Sequence, residues 1–87
     1  MPKMITHNLK TWPNIFEEMY KGNKSFDIRE NDRNFQIGDQ IILDEYDNIN
    51  NTYTGRHLHA KITYIMKSPN PFVELKNKVI LSLKYWV

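Results

Sequence analysis

The chain has 87 residues, enough for a single domain over 1–87 and too few for a second core. It contains no cysteine, which excludes a disulfide scaffold, a thiolate metal site and a thiol nucleophile. Residues 1–47 carry six basic and nine acidic side chains (net −3), whereas residues 48–87 carry six and one (net +5). No apolar run has membrane-spanning or signal-peptide length, so we expect a cytoplasmic protein without membrane contact.

The first predicted elements are a short strand and a helix. Met4–Leu9 is a mixed run that can begin a strand. Thr11 is a suitable N-cap, and Pro13 fits a first helical turn because its missing N–H has no partner there. Apolar residues then recur at helical spacing until Gly22, which favours a helix end. We therefore predict a helix over Trp12–Lys21.

The segment after the helix has the period of a β-strand. Ser25–Arg29 alternates, with Phe26 and Ile28 on one face and Asp27 and Arg29 on the other. This pattern predicts a strand with one polar and one apolar face.

Three further strands are predicted, separated by turn-rich segments. They are Gln40–Tyr46, His57–Met66 and Val79–Tyr85, with turns at Glu30–Asn34 and Gly38–Asp39, a polar hairpin loop at Asp47–Thr54 and a proline-rich break at Ser68–Pro71. On the middle strand, the alternation places Leu58, Ala60, Ile62, Tyr64 and Met66 on one face. Strands that follow one another without helices argue against a parallel α/β sheet. We predict an α+β, mostly β domain, a small β-barrel with one early helix.

Gly22–Arg33 is the most informative region for function. Lys24 supplies a point charge just after the helix, while Asp27 and Arg29 share one strand face and Arg33 extends the charged cluster. Lysine and the arginine fork suit the recognition of phosphates or base edges. The alternative is an ion-pair network that only holds a hairpin together.

Two other regions offer nucleic-acid contacts. Lys10 and Trp12 precede the helix, and Trp12 can stack on a base or, alternatively, anchor the helix to the sheet. Arg56 follows Gly55 at the end of the polar loop and reaches the Gly22–Arg33 cluster if the strands are neighbours.

A metal site is not predicted. His57 and His59 share a strand face at ligand-like spacing, but a zinc site needs at least a third ligand, and His7 lies on another element. The default interpretation is two surface histidines. The three glycines are isolated, so no phosphate loop is predicted either, and we expect no cofactor.

The order of these motifs is distinctive. They are His7-Asn8-Leu9-Lys10 with Trp12-Pro13, Gly22-x-Lys24 continuing to Arg29, Asn31-Asp32-Arg33 with Phe35 and Gly38-Asp39, Glu45-Tyr46-Asp47, and Tyr53-Thr54-Gly55-Arg56. The chain thereby resembles a small ASCH-related, PUA-like family of bacterial and phage proteins. The resemblance implies a compact β-barrel with a helix near one opening and an RNA- or nucleotide-binding cleft at the Gly-x-Lys motif.

Some ASCH proteins are amidohydrolases that remove the acetyl group from N4-acetylcytidine with a lysine, a threonine and a glutamate. Lys24 matches the lysine, but Asp27 occupies the position of the threonine, and Glu74 lies in a differently built segment. The resemblance therefore implies binding more than catalysis.

The leading hypothesis is an RNA- or nucleotide-binding module. Its expected binding residues are Lys10, Trp12, Lys24, Ser25, Arg29, Arg33 and Arg56. One alternative is an amidohydrolase acting on a modified nucleoside through Lys24 and Asp27. Another is a phage or bacterial accessory protein that binds a host protein.

Overall fold

The computed structural model describes residues 4–68, 71–72 and 74–86. Its elements are β1 (Thr6–Thr11), α1 (Pro13–Tyr20), β2 (Phe26–Glu30), β3 (Gln40–Asp47), β4 (Thr52–Met66) and β5 (Lys78–Tyr85). The prediction of a mostly β chain with one early helix is confirmed. None of the helices in the described part is long and apolar enough to span a bilayer.

The five strands form one curled sheet in the order β1-β3-β4-β5-β2. The β1–β3 pair is parallel, and the other three pairs are antiparallel. The sheet is a half-barrel, and two arginines on or just after β2 donate to the other edge strand, β1. Arg29 Nη2 donates to Thr11 Oγ1 at 3.2 Å, and Arg33 donates to the carbonyl of Asn8 at 3.0 Å. We call the gap between β1 and β2 the seam.

The core lies on the inner face of the curled sheet. Helix α1 packs on this face through Phe16 and Met19, which are both buried. The strand residues of the core alternate as period-two strands require. The core cluster is Leu9, Met19, Phe35, Ile41, Leu43, Ala60, Ile62, Val79, Leu81 and Leu83.

The helix begins one residue later than predicted. Trp12 occupies the N-cap position, and within the described residues no side chain caps the helix. The N-cap prediction for Thr11 is wrong, because Thr11 ends β1 and its hydroxyl donates to the Leu9 carbonyl. The helix ends at Tyr20, one residue before the predicted end, and Gly22 follows with φ +82°.

Strand β4 is longer than predicted. It begins at Thr52, so the hairpin loop is confined to residues 48–51. Gly55 therefore lies within the strand and not at the end of a loop, and it has a positive φ of +93°. The proline-rich break at 68–71 includes residues 69–70, which lie outside the described residues.

The predicted faces of β4 hold only for part of the strand. Ala60 and Ile62 are buried as expected, but Tyr64 is 57% exposed and Met66 is 36% exposed. The cause is an irregularity in the pairing with β5 between Ile62 and Tyr64. One extra residue in a strand moves every later side chain to the opposite face.

Candidate nucleic-acid interface

Strand β2 turns its polar face inward. The predicted alternation is present, but Asp27 is only 6% exposed, whereas Phe26 and Ile28 are 45% and 50% exposed. A buried carboxylate is costly unless it is paired and hydrogen-bonded. The partners of Asp27 therefore explain why this strand is stable with its apolar residues outside.

Asp27 forms ion pairs with two cations, Lys24 and Arg29. Its Oδ2 accepts a hydrogen bond from Arg29 Nε at 2.6 Å, and its Oδ1 accepts one from the backbone N–H of Ile28 at 3.1 Å. The ammonium of Lys24 lies 3.6 Å from Oδ1. Both carboxylate oxygens are thus occupied, and the negative charge is shared by a lysine and an arginine.

Lys24 is held where the chain leaves α1. Its backbone N–H donates to the carbonyl of Glu18 at 3.1 Å, and its ammonium donates to the carbonyl of Phe26 at 2.6 Å. Burial lowers the pKa of Lys24, although the negative charge of Asp27 acts in the opposite direction. Lys24 is therefore easier to deprotonate than a solvated lysine.

Tyr85 supports Lys24 from the far end of the chain. Its hydroxyl donates to the backbone carbonyl of Lys24. Burial, together with the charge of Asp27, raises the pKa of Tyr85 to about 12. The tyrosine consequently remains a neutral donor across the physiological range.

A hollow of about 320 Å³ opens at the seam beside this cluster, and we call it the seam cleft. It combines the polar groups of Thr11, Asp27 and Arg29 with apolar side chains, among them Trp12, which is 52% exposed. Cavities of this size are at the small end of ligand sites. The lining residues are Lys10, Thr11, Trp12, Ile15, Asp27, Ile28 and Arg29.

Three of the residues expected to bind nucleic acid, Lys10, Trp12 and Arg29, line the seam cleft, whereas Arg33 and Ser25 do not. Lys10 lines it, but its ammonium lies 4.1 Å from the centre of the Tyr46 ring. Arg33 lies farther along the seam, where it lines with Arg29 a second hollow of about 150 Å³. Ser25 is exposed, and its carbonyl accepts a hydrogen bond from the N–H of Leu83.

Arg56 is not brought to the seam cleft. Its guanidinium lies 3.5 Å from Glu17 on α1 and 3.9 Å from the buried Glu45 on β3. It also lies about 5 Å from the ring centres of Phe16 and Tyr20. These contacts fasten α1 to the sheet and border a different hollow of about 330 Å³.

The two histidines of β4 lie together, with ring centres 5.2 Å apart. Both His57 and His59 are exposed. In the parts of the chain that the structure describes, no three His, Cys, Asp or Glu side chains are arranged to hold a metal ion.

Three further side chains line the seam cleft without having been predicted as binding residues, Thr11, Ile15 and Ile28. Thr11 could have been predicted to face inward, because it shares a strand face with the buried Leu9. It was interpreted as the helix cap instead. Tyr85 had no local signal, because its partner Lys24 is 61 residues away in the sequence.

The seam cleft lies within a recognisable family domain. A family described as a domain of unknown function, DUF3850, matches residues 6–83. The chain belongs to the DUF3850 family. The DUF3850 match begins at the first residue of β1 and includes every residue that lines the seam cleft.

A relative of this DUF3850 chain is encoded by a phage. The chain is 35% identical over 57 residues to a protein of Escherichia phage P2 described as an uncharacterized 12.9 kDa protein in the GpA 3′ region. The aligned segment covers 66% of this chain and 50% of the phage protein, so the similarity spans half the length of that relative. The expected relationship to phage proteins is confirmed.

Proposed function

We propose that this DUF3850 chain is an ASCH-like, PUA-like domain that binds RNA or a nucleotide in the seam cleft, in the cytoplasm. The observation that carries the proposal is the inverted strand β2, which turns Asp27 and Arg29 inward beside the exposed Trp12 and Ile28. A nucleobase needs both kinds of surface, an apolar face to stack on and hydrogen-bonding groups for its edge.

The charges at the seam favour the recognition of a base over the tracking of a phosphate backbone. Arg29 and Lys24 both lie against Asp27, and Arg33 lies 4.0 Å from Asp32. Cations that are already paired attract phosphates less than free ones do. We therefore expect a shallow dependence of affinity on salt, corresponding to about one or two phosphate contacts.

The two exposed tryptophans provide a matched test. Trp12 and Trp86 are 52% and 56% exposed, but only Trp12 is among the residues that line the seam cleft. A single-stranded RNA of mixed sequence is titrated at two salt concentrations and followed by filter binding and by amide chemical shifts. Trp12→Ala is expected to weaken binding roughly 5- to 150-fold, the range of one lost base stack, and Trp86→Ala to leave it unchanged.

Two results would contradict the proposal. One is RNA at saturating concentration that leaves the amide signals of residues 11–12 and 22–33 unmoved. The other is an equal loss of affinity in Trp12→Ala and Trp86→Ala, which would place the contact outside the seam cleft.

A second candidate function is hydrolysis of an amide on a modified nucleoside. It is favoured by the lowered pKa of Lys24, whose position is fixed by Asp27 3.6 Å away and by its hydrogen bond to the carbonyl of Phe26. A neutral Lys24 amine can take a proton from a water molecule that attacks the amide carbonyl and return it to the leaving amine. N4-acetylcytidine is the test substrate, and Lys24→Met should abolish acetate release. If the wild-type protein releases no acetate, this candidate is discarded.

A further inference from the structure

Arg29 is held along one side of its guanidinium. Its Nε donates to Asp27 Oδ2 at 2.6 Å and its Nη2 donates to Thr11 Oγ1 at 3.2 Å. A guanidinium carries five N–H donors in a planar fork. These two bonds engage the edge formed by Nε and Nη2. The end of the fork keeps two parallel donors, one on each Nη atom, and among the described residues no acceptor is bonded to Nη1.

The position of this fork gives it access to a ligand. The Arg29 side chain is 23% exposed, and it lines both hollows of the seam. Its orientation is fixed from two different strands, because Asp27 lies on β2 and Thr11 ends β1. A donor pair held in this way is available without a loss of side-chain entropy on binding.

The nearby charge argues against a phosphate as the partner of this fork. Asp27 already neutralises Arg29, and Asp27 is buried with both oxygens engaged. A phosphate at the free end would bring a second anion close to that carboxylate. A neutral edge with two adjacent acceptors suits the same donors without this repulsion.

We propose that the seam cleft selects guanine, with Arg29 donating to the O6 and N7 atoms of the base and Trp12 contacting its face. This inference rests on the proposed function and names the base that it recognises. Guanine offers O6 and N7 as neighbouring acceptors, whereas adenine offers N7 beside an amino donor, which meets an arginine N–H unfavourably. Cytosine also has adjacent acceptors, but its single ring covers less of an aromatic side chain.

The test compares mononucleotides on the wild-type protein by amide chemical-shift titration. GMP and IMP share O6 and N7, so they should bind equally. AMP should bind roughly 5- to 150-fold more weakly, the range of one bidentate base contact. 7-Deaza-GMP, which lacks the N7 acceptor but keeps O6, should also bind more weakly than GMP. CMP should also bind more weakly than GMP.

Two arginines give matched variants, one in the seam cleft and one away from it. Arg29→Lys keeps the charge but removes the fork, so the preference for GMP over AMP should disappear. Arg56→Lys should retain the preference, because Arg56 lies against Glu17 and Glu45 and does not line the seam cleft. Circular dichroism establishes that both variants are folded.

The outcomes separate this inference from the proposed function. Equal affinities for GMP, AMP and CMP, or a preference for CMP, would overturn the selection of guanine and leave nucleotide binding intact. Weaker binding of IMP than of GMP would also overturn it, because the contact would then involve the 2-amino group. If no nucleotide or RNA binds, both proposals fail together.

Discussion

The two ends of β1 each contact a hydrogen-bonded pair of polar side chains, and the two pairs differ in what they leave free. Near its start, His7 Nε2 donates to Asp39 Oδ2 at 2.8 Å, and the two side chains are 5% and 1% exposed. At its end, Thr11 accepts from the Arg29 of the Arg29–Asp27 pair, whose side chains are 23% and 9% exposed.

The His7–Asp39 pair is enclosed by further hydrogen bonds and by packing, and we call it the closed pair. Asp39 also accepts backbone hydrogen bonds from Gln36 at 3.0 Å and from Ile5 at 3.4 Å, and the His7 ring packs 4.7 Å from that of Phe35. A pair so enclosed has no access to a ligand and acts as a structural junction. The Arg29–Asp27 pair, which we call the open pair, retains free N–H donors and borders the seam cleft. We therefore assign ligand recognition to it.

The largest effect is expected from opening the closed pair. Asp39→Ala leaves His7 and two backbone N–H groups without their acceptor in a buried site. Each buried donor left unsatisfied costs about 1–3 kcal/mol, so the loss of all three hydrogen bonds is comparable to the whole stability of a small domain. Urea unfolding followed by circular dichroism measures the loss. A cost below about 1 kcal/mol would show that the junction is not structural.

Removing the carboxylate of the open pair should cost less. Asp27→Ala frees Arg29 and Lys24, but both cations are partly exposed and can be hydrated. We expect a loss of about 1–3 kcal/mol in the free energy of unfolding. The same urea experiment measures it. If the loss equals that of Asp39→Ala, the distinction between the two pairs is contradicted.

Lowering the pH should remove the stabilisation that the closed pair provides, because Asp39 becomes protonated. Burial raises the pKa of Asp39, but the hydrogen bonds from His7 and from the backbone N–H groups of Gln36 and Ile5 outweigh it, so the pKa is lowered. Its folded-state pKa is therefore below its unfolded value. The stabilisation is present above about pH 4 and is lost as the pH falls through the folded-state pKa.

Asp39→Asn provides the comparison for this acid dependence. The difference in unfolding free energy between the wild-type protein and the variant should shrink as the pH falls below about 4. A difference that stays constant down to about pH 2 would contradict the assignment to Asp39.

The smallest effect is expected in the ionisation of Tyr85, which donates to the carbonyl of Lys24 beside the open pair. Because the pKa of Tyr85 is raised to about 12, its ionisation should occur as a late step in an ultraviolet pH titration of the tyrosines. The associated stabilisation is complete below about pH 10 and is lost as the pH rises towards that value. Tyr85→Phe should remove the late step. A variant that titrates like the wild-type protein would place the late tyrosine elsewhere.

Local sequence features predicted the elements well. Pro13 and Gly22 mark the helix to within one residue of the predicted bounds, and alternation identified β2 and the second half of β4. The first strand was predicted only as a mixed run over Met4–Leu9 and lies at Thr6–Thr11. These signals succeed because they depend on neighbouring residues. The polar cluster after the helix was also identified, since Asp27 and Arg29 are two residues apart on one strand.

Which face of β2 is buried could not be predicted in the same way. Alternation separates two faces, but it does not say which face is inside, and apolar residues are ordinarily the buried ones. Here the inner face is decided by Thr11, on β1, and Tyr85, on β5, which satisfy groups far away in the sequence. The reversal of the β4 faces after Ile62 has a similar cause, since it depends on pairing with β5.

The strand order has a consequence for folding kinetics. Strands β3, β4 and β5 are consecutive neighbours and can pair as a meander, whereas β1 and β2, which are adjacent in sequence, occupy opposite edges. Contacts that close long loops form late because their entropy cost comes first. Substitutions in the β3–β4 hairpin should therefore slow folding, while substitutions across the seam should mainly accelerate unfolding. The residues that we assign to recognition are thus the last to acquire their native neighbours.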